Sequence, residues 1–216
     1  MNAFSRFQTR RQLFILVGAI GLLLIAVSLF LELAEDVWLK EGFAWDATSM
    51  LDIHSLSRPW LDTIFRLITS TGGPLIGLFV GGTTVWFWRH AERSTASLFV
   101  LSFVGAFLLN SLLKYIFARP RPNLFPPLVV EHSYSFPSGH TMAAVAVYGL
   151  LALVFWQRGR RGWAALAGSW APLVALSRVY LGAHYPSDVL ASLAIGAIYL
   201  VIVWFTAAGQ PVSPAH

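Results

Sequence analysis

Long apolar runs without charge constrain the fold of this 216-residue chain more than any other feature. The first run, Leu13–Leu31, contains no Asp, Glu, Lys or Arg, and it is long enough to cross a bilayer, which takes about 20 residues. Hydrophobic residues make up 56% of the chain and charged residues 12%, whereas soluble domains carry about 25% charged residues. This composition predicts an all-α integral membrane protein.

Six apolar runs are candidates for membrane spans, and the short fourth and fifth runs need their flanking residues to reach full length. The six runs are Leu13–Leu31, Leu67–Trp88, Ala96–Ala118, Thr141–Trp156, Trp163–Leu176 and Val189–Ala208. They predict one six-helix membrane domain, residues 13–208, between a cytoplasmic N-terminal tail at residues 1–12 and a C-terminal tail at residues 209–216.

Two local patterns refine this arrangement. The segment Trp45–Phe65 is predicted to be a short amphipathic helix at the outer interface, with its lipid-facing side formed by Trp45, Met50, Leu51 and Trp60. In the second span, Gly77 and Gly81 have the spacing that favours close contact with another helix.

The Arg residues predict the orientation, because Lys and Arg are enriched in cytoplasmic loops. Eight of them fall in alternate connections, where only Glu92 opposes them: Arg6, Arg10, Arg11, Arg89, Arg93, Arg158, Arg160 and Arg161. With six spans, both termini are then cytoplasmic, and the intervening connections face the outside. The net charge of +5 does not predict nucleic-acid binding, because the basic residues lie in short clusters between apolar runs.

Several basic residues run against this rule, and an anionic ligand would explain them. In the segment KYIFARPRP, Lys114 lies at the end of the third span, and Arg119 and Arg121 follow in a loop stiffened by prolines. Arg offers a planar fork of donors and Lys a point charge, and both suit a phosphate group. The alternative for this segment alone is a basic interfacial patch with a snorkelling lysine.

The segment PSGH opens the fourth span. Ser138 is a good N-cap, so the free backbone N–H groups of the first turn and the helix dipole form a site for an anion. Gly139 lets a ligand approach the backbone closely, and His140 is placed to give a proton to a leaving oxygen. The alternative is an ordinary capped helix with an interfacial histidine.

The third polar segment, SRVYLGAHYPSD, joins the fifth and sixth spans. Arg178 ends the fifth span, and His184 lies in the turn. Asp188 follows four residues later at a helix start, where its carboxylate can accept a hydrogen bond from Nδ1–H of His184 and leave Nε2 free to attack. A helix-capping Asp beside a solvated His is the alternative. Because all three segments meet on one membrane face, they favour a functional site, as ionisable residues at a membrane edge do by default.

The three segments together resemble the three-part signature of the type 2 phosphatidic acid phosphatase (PAP2) superfamily. The matching positions are Lys114-x6-Arg121-Pro122, then Pro137-Ser138-Gly139-His140, then Ser177-Arg178-x5-His184-x3-Asp188. The chain looks most similar to small bacterial lipid phosphatases of the phosphatidylglycerophosphate and undecaprenyl-pyrophosphate type. Together with the six spans and the orientation predicted above, this resemblance implies an enzyme of a bacterial inner membrane whose active site faces the periplasm.

The resemblance also implies roles for the site residues. His184 is expected to be the nucleophile that forms a phosphohistidine, with Asp188 orienting it and His140 protonating the leaving group. The expected phosphate ligands are Lys114, Arg121, Ser138, Gly139 and Arg178. No metal and no other cofactor is expected, since the cations already supply positive charge. Arg119 lies outside the signature and is a candidate substrate contact.

Three functions remain open at this point. The first is a lipid phosphatase whose substrate enters sideways from the outer leaflet, so its partners are a lipid phosphate and the bilayer. The second is a phosphotransferase on the same scaffold, with an acceptor alcohol in place of water. The third is a non-catalytic lipid-binding or transport protein, against which the intact set of His140, His184 and Asp188 counts. The oligomeric state is left open.

Overall fold

The computed structural model describes the backbone of residues 3–207 and the side chains of residues 17–206, and this part of the chain forms eight helices without a β-strand. The helices are α1 (Ala3–Trp38), α2 (Ala44–His54), α3 (Pro59–Ser70), α4 (Pro74–Arg89), α5 (Arg93–Phe117), α6 (Gly139–Gln157), α7 (Arg161–Tyr180) and α8 (Pro186–Ala207). The predicted all-α class is confirmed. Helix α1 begins inside the predicted N-terminal tail, and the predicted C-terminal tail lies outside the described residues.

Four described helices contain segments that are long and apolar enough to cross a membrane. These segments are Val17–Trp38, Arg93–Phe117, Gly139–Gln157 and Pro186–Thr206. Helices α3 and α4 are bent by 45° relative to each other and make a fifth span if the pair is counted as one. Helix α7 matches the predicted fifth span in position, but it carries Pro172 inside and Arg178 in its last turn and does not meet the same criterion. The predicted count of six is therefore not confirmed.

The predicted second span, Leu67–Trp88, is broken in the structure. Helix α3 ends at Ser70 and α4 begins at Pro74. Between them, Gly73 has φ −120° and ψ −112°, far from a helical conformation. Proline suits the first position of α4, because the N–H it lacks would have no partner within the helix. Gly72 and Gly73 consequently bring irregular backbone to the wall of the cavity described below.

The predicted interfacial helix Trp45–Phe65 is also divided, into α2 and α3, because Pro59 starts a new helix. Met50, expected to face lipid, is 1% exposed. It packs with Ala175 of α7 and Val189 of α8, because α2 folds back over the ends of these two helices. The single-helix prediction and the outward orientation of Met50 were therefore wrong.

The core lies where α6 crosses the other helices. Fourteen buried apolar side chains from α4 to α8 form the largest cluster, including Phe99, Leu150 and Val174. Helices α6 and α8 approach closely at glycines: a Cβ added at Gly196 would lie 3.0 Å from the Cβ of Val145. Gly77 and Gly81 have no atom within 4 Å of an added Cβ, so the close contact predicted for them is absent among the described residues. This packing holds the ends of α5, α6, α7 and α8 around one site.

Candidate active site

Residues from all three polar segments line one cavity of about 470 Å³. Lys114 and Arg121 come from the end of α5 and the loop after it, Gly139 and His140 from the first turn of α6, and His184 from the turn before α8. The structure thus brings together side chains that are up to 70 positions apart in the chain.

The imidazole of His184 is held in one tautomer by its neighbours. Nη1 of Arg121 lies 3.3 Å from Nε2, and Oδ2 of Asp188 lies 3.4 Å from Nδ1. A guanidinium group has donors but no acceptor, so Nε2 is the acceptor and Nδ1 carries the proton. The lone pair of Nε2 therefore faces Arg121, one of the cations predicted to bind phosphate, as the predicted role of nucleophile requires.

The electrostatic surroundings keep His184 neutral. Burial, together with the positive charges of Arg178 and Arg121, holds the pKa of His184 well below its usual range. A proton on Nε2 would occupy the lone pair that the predicted nucleophile needs. The lowered pKa consequently leaves this nitrogen available at neutral pH.

The carboxylate of Asp188 is fully buried in the first turn of α8 and uses both of its oxygens. Oδ2 accepts hydrogen bonds from the Ser135 hydroxyl and, at 3.0 Å, from the backbone N–H of Tyr185. Oδ1 lies 2.5 Å from Nη1 of Arg119. A buried charge must be paired and hydrogen-bonded, and these contacts satisfy that requirement.

Backbone oxygens of the loop before α6, together with one from the turn before α8, orient the two cations of the first segment. The Lys114 ammonium donates to the backbone oxygen of Tyr134. Arg121 donates from Nε to the backbone oxygen of Ser133 and from Nη1 to that of Ala183, both at 2.6 Å. Both cations are thereby fixed at the cavity before any ligand arrives.

Arg178 pairs with a carboxylate that the sequence analysis did not identify. Its side chain is 1% exposed, and Nη2 lies 2.5 Å from Oε1 of Glu131, which itself lines the cavity. Nη1 donates to the hydroxyl of Thr69 at 2.7 Å, and Nε has no hydrogen-bond partner in the described part of the chain. Glu131 therefore forms an ion pair with Arg178, one of the cations predicted to bind phosphate.

Glu131 also faces the predicted proton donor. Its Oε1 lies 3.9 Å from Nε2 of His140. Burial alone raises the pKa of Glu131, but the positive charges of Arg178 and other neighbours outweigh it, so the pKa lies below its usual value. Glu131 is thus an anion at neutral pH in the same cavity as the cations Lys114 and Arg121.

The residues of the PSGH segment have different surroundings. Ser138 caps α6 as predicted: its hydroxyl accepts from the N–H of Thr141 at 3.5 Å. Ser138 is fully buried and does not line the cavity, so its part in binding phosphate stays a prediction.

Gly139 does line the cavity, and a Cβ there would lie 2.9 Å from Oδ1 of Asn110. A Cβ at Gly73 would overlap the imidazole of His140, so the break between α3 and α4 forms a wall against this ring.

Arg119 is not among the residues that line this cavity, although it borders two neighbouring ones. Its guanidinium contacts Asp46, Ser187 and Asp188. Its role as a substrate contact stays a prediction.

Sequence reasoning also missed Asp46, Asn110 and Ser135. No local pattern distinguishes Asp46 from the other acids of its segment. Asn110 and Ser135 are ordinary polar residues, and nothing in the sequence marks them either. In the described part of the chain, no three His, Cys, Asp or Glu side chains are grouped to hold a metal ion.

Comparison with known proteins places this chain in a family. The family model of the PAP2 superfamily matches residues 95–210, more than half of the chain. The chain is 37% identical over 159 residues to phosphatidylglycerophosphatase B of Bacillus subtilis (strain 168), covering 68% of this chain and 76% of the relative. It is 38% identical over 183 residues to an undecaprenyl-diphosphatase of Sulfolobus acidocaldarius, covering 82% and 84%.

A solved structure points to the same family as these relatives. The crystal structure of a transmembrane PAP2-type phosphatidylglycerolphosphate phosphatase from Bacillus subtilis superimposes with a TM-score of 0.73 at 32% identity, covering 86% of this chain and 97% of that one. The chain therefore belongs to the PAP2 superfamily, which confirms the resemblance seen in its motifs. It is an integral membrane enzyme of the lipid phosphatase class.

Proposed function

We propose that this chain is a metal-independent phosphatase that hydrolyses a phosphomonoester or pyrophosphate lipid head group through a phosphohistidine intermediate. Phosphatidylglycerophosphate, phosphatidate and undecaprenyl pyrophosphate are the proposed substrates, and the names of the relatives support the first and the last. The distribution of Arg residues supports an active site on the outer face of a bacterial inner membrane, with both termini in the cytoplasm.

The observation that carries this proposal is the alignment of Arg121, His184 and Asp188. Nε2 of His184 lies next to a phosphate-binding cation, and Nδ1 faces a carboxylate. Nε2 attacks phosphorus and forms a P–N bond while the P–O bond to the lipid breaks, and His140 gives its proton to the leaving oxygen. Arg121, Arg178 and Lys114 stabilise the charge on the remaining phosphate oxygens.

The second half of the reaction returns the enzyme to its starting state. Water attacks phosphorus, His140 takes one proton from it, and the P–N bond breaks to release inorganic phosphate. The neutral His184 is restored. No step requires a metal, and the small number of carboxylates at the site supports this, because Mg²⁺ prefers such oxygen ligands.

The apolar wall of the cavity supports a lipid substrate. Ile76 of α4 and Phe103 and Phe107 of α5 line the same cavity as the cations. Phe107 is 63% exposed on the outer surface of the bundle, where lipid would contact it. The lipid tail then lies between α4 and α5 in the bilayer while the head group reaches His184.

The test is phosphate release by purified protein from phosphatidylglycerophosphate, phosphatidate, diacylglycerol pyrophosphate and undecaprenyl pyrophosphate, side by side. Wild-type protein and His90→Gln, a control at the opposite end of α4, should release phosphate and trap label from a ³²P-labelled head group. His184→Gln should do neither. Phosphoenzyme that discharges only when an acceptor alcohol is added would indicate a transferase, and binding without any phosphoenzyme would indicate a non-catalytic protein.

A further inference from the structure

A second carboxylate, Asp46 of α2, is linked to the site through Arg119. Asp46 is 2% exposed although its helix lies at the surface of the bundle. Its Oδ2 lies 2.9 Å from Nη2 of Arg119, and its Oδ1 accepts from the backbone N–H of Ser187 at 2.9 Å. The hydroxyl of Ser187 also donates to Oδ2 at 2.5 Å. Asp46 thus binds both Arg119 and the start of α8.

Arg119 lies between two buried carboxylates. Nη2 contacts Asp46, and Nη1 contacts Oδ1 of Asp188 at 2.5 Å. The guanidinium also lies over the ring of Tyr185, 4.2 Å from its centroid, so its orientation is fixed by contacts on its face as well as its edge. One cation therefore compensates both acids, and a buried acid without such a partner would take up a proton.

The geometry of Asp188 connects this cluster to the proposed reaction. Arg119 binds Oδ1, which leaves Oδ2 to face Nδ1 of His184. Rotation of the carboxylate, or its protonation, would remove the acceptor that fixes the imidazole tautomer. Nε2 of His184 would then be unprotonated in a smaller fraction of the molecules.

We propose that Arg119 and Asp46 are positioning residues, which keep the Asp188 carboxylate ionised and turned toward His184 without contacting substrate. This inference rests on the proposed function. Asp46 lies outside residues 95–210, the part matched by the family model, so α2 takes part in building the site as well as covering the bundle.

The test compares variants in the phosphate-release assay with the lipid that wild type hydrolyses fastest. Asp46→Asn and Arg119→Gln should each lower kcat about 10- to 100-fold, the range typical for groups one step behind a reacting residue. KM should stay within about twofold, because no substrate contact is lost. Arg119→Lys keeps the charge and should restore part of kcat. The matched control, Asp52→Asn, changes an exposed acid of the same helix and should behave as wild type.

Single-turnover trapping adds a readout that a purely structural role would not change. Formation of the phosphoenzyme should be slowed in Asp46→Asn when it is measured per folded molecule, in detergent samples whose folded fraction matches that of wild type. A raised KM with unchanged kcat in Arg119→Gln would make Arg119 a substrate contact and overturn the proposal. Unchanged kcat in Asp46→Asn, or loss only in proportion to unfolded protein, would also overturn it. Absence of phosphate release by wild type would instead refute the proposed function, and this inference with it.

Discussion

Removal of the Glu131 charge should tighten the binding of phosphate to the free site. Glu131 contacts Nη2 of Arg178 at 2.5 Å, so a phosphate oxygen can reach that nitrogen only if the carboxylate withdraws. Glu131→Gln keeps the shape of the side chain but removes the charge that competes with the ligand. The affinity gained is the free energy of the contact that no longer has to be broken.

The size of the effect follows from the surroundings of the pair. A hydrogen bond to a charged group contributes about 1.5–3 kcal/mol, whereas a fully exposed ion pair contributes about 0–1 kcal/mol. Arg178 is buried, but the Glu131 side chain is 26% exposed, so the contact lies between these limits. We expect about 1–2 kcal/mol, which is roughly a 5- to 30-fold change in affinity.

The assay is competitive inhibition by inorganic phosphate at pH 7. The inhibition constant should fall by this factor in Glu131→Gln and stay unchanged in Glu35→Gln, which changes an exposed acid near the C-terminal end of α1. Thermal stability should decrease in Glu131→Gln, because the buried Arg178 loses its counter-ion. An inhibition constant that is equal to or higher than that of wild type would refute the competition.

Three further predictions concern the chemistry and its location. His184→Ala should lower kcat by at least about 10³-fold and abolish the trapped phosphoenzyme while lipid binding survives, since a nucleophile has no substitute; near-normal turnover would contradict the mechanism. Activity should persist in excess EDTA and fall with vanadate, which mimics the transferring phosphoryl group; loss on chelation that Mg²⁺ restores would contradict metal independence. Because the native chain has no cysteine, Asn123→Cys should react with an impermeant maleimide in intact cells and Gln157→Cys only after lysis; the reverse pattern would invert the topology.

Much of the site could be predicted because its residues have fixed spacing within short segments. Asp188 follows His184 by four positions at a helix start, and local geometry alone brings the two side chains together. Ser138 caps α6 for the same reason. The apolar runs likewise located most of the helices, since their length and hydropathy are properties of single segments.

The remaining features depend on contacts between distant segments. Asp46 meets Ser187 across 141 positions, and no local pattern distinguishes it from the exposed acids near it. Met50 was expected to face lipid because apolar residues suit both lipid and the core of a bundle. The break in the second span was missed because Gly72 and Gly73 interrupt a run that is apolar on both sides, and only the neighbouring helix reveals why it bends.

The glycine break also limits how such a sequence can diverge. Leu78 of α4 is 74% exposed, so many apolar side chains would serve there equally well. Gly73 has no such freedom, because any Cβ would displace the imidazole of His140. An enzyme with this architecture can therefore adapt its outer surface to new membranes by single substitutions, while a change at Gly73 requires a simultaneous change in the ring it supports.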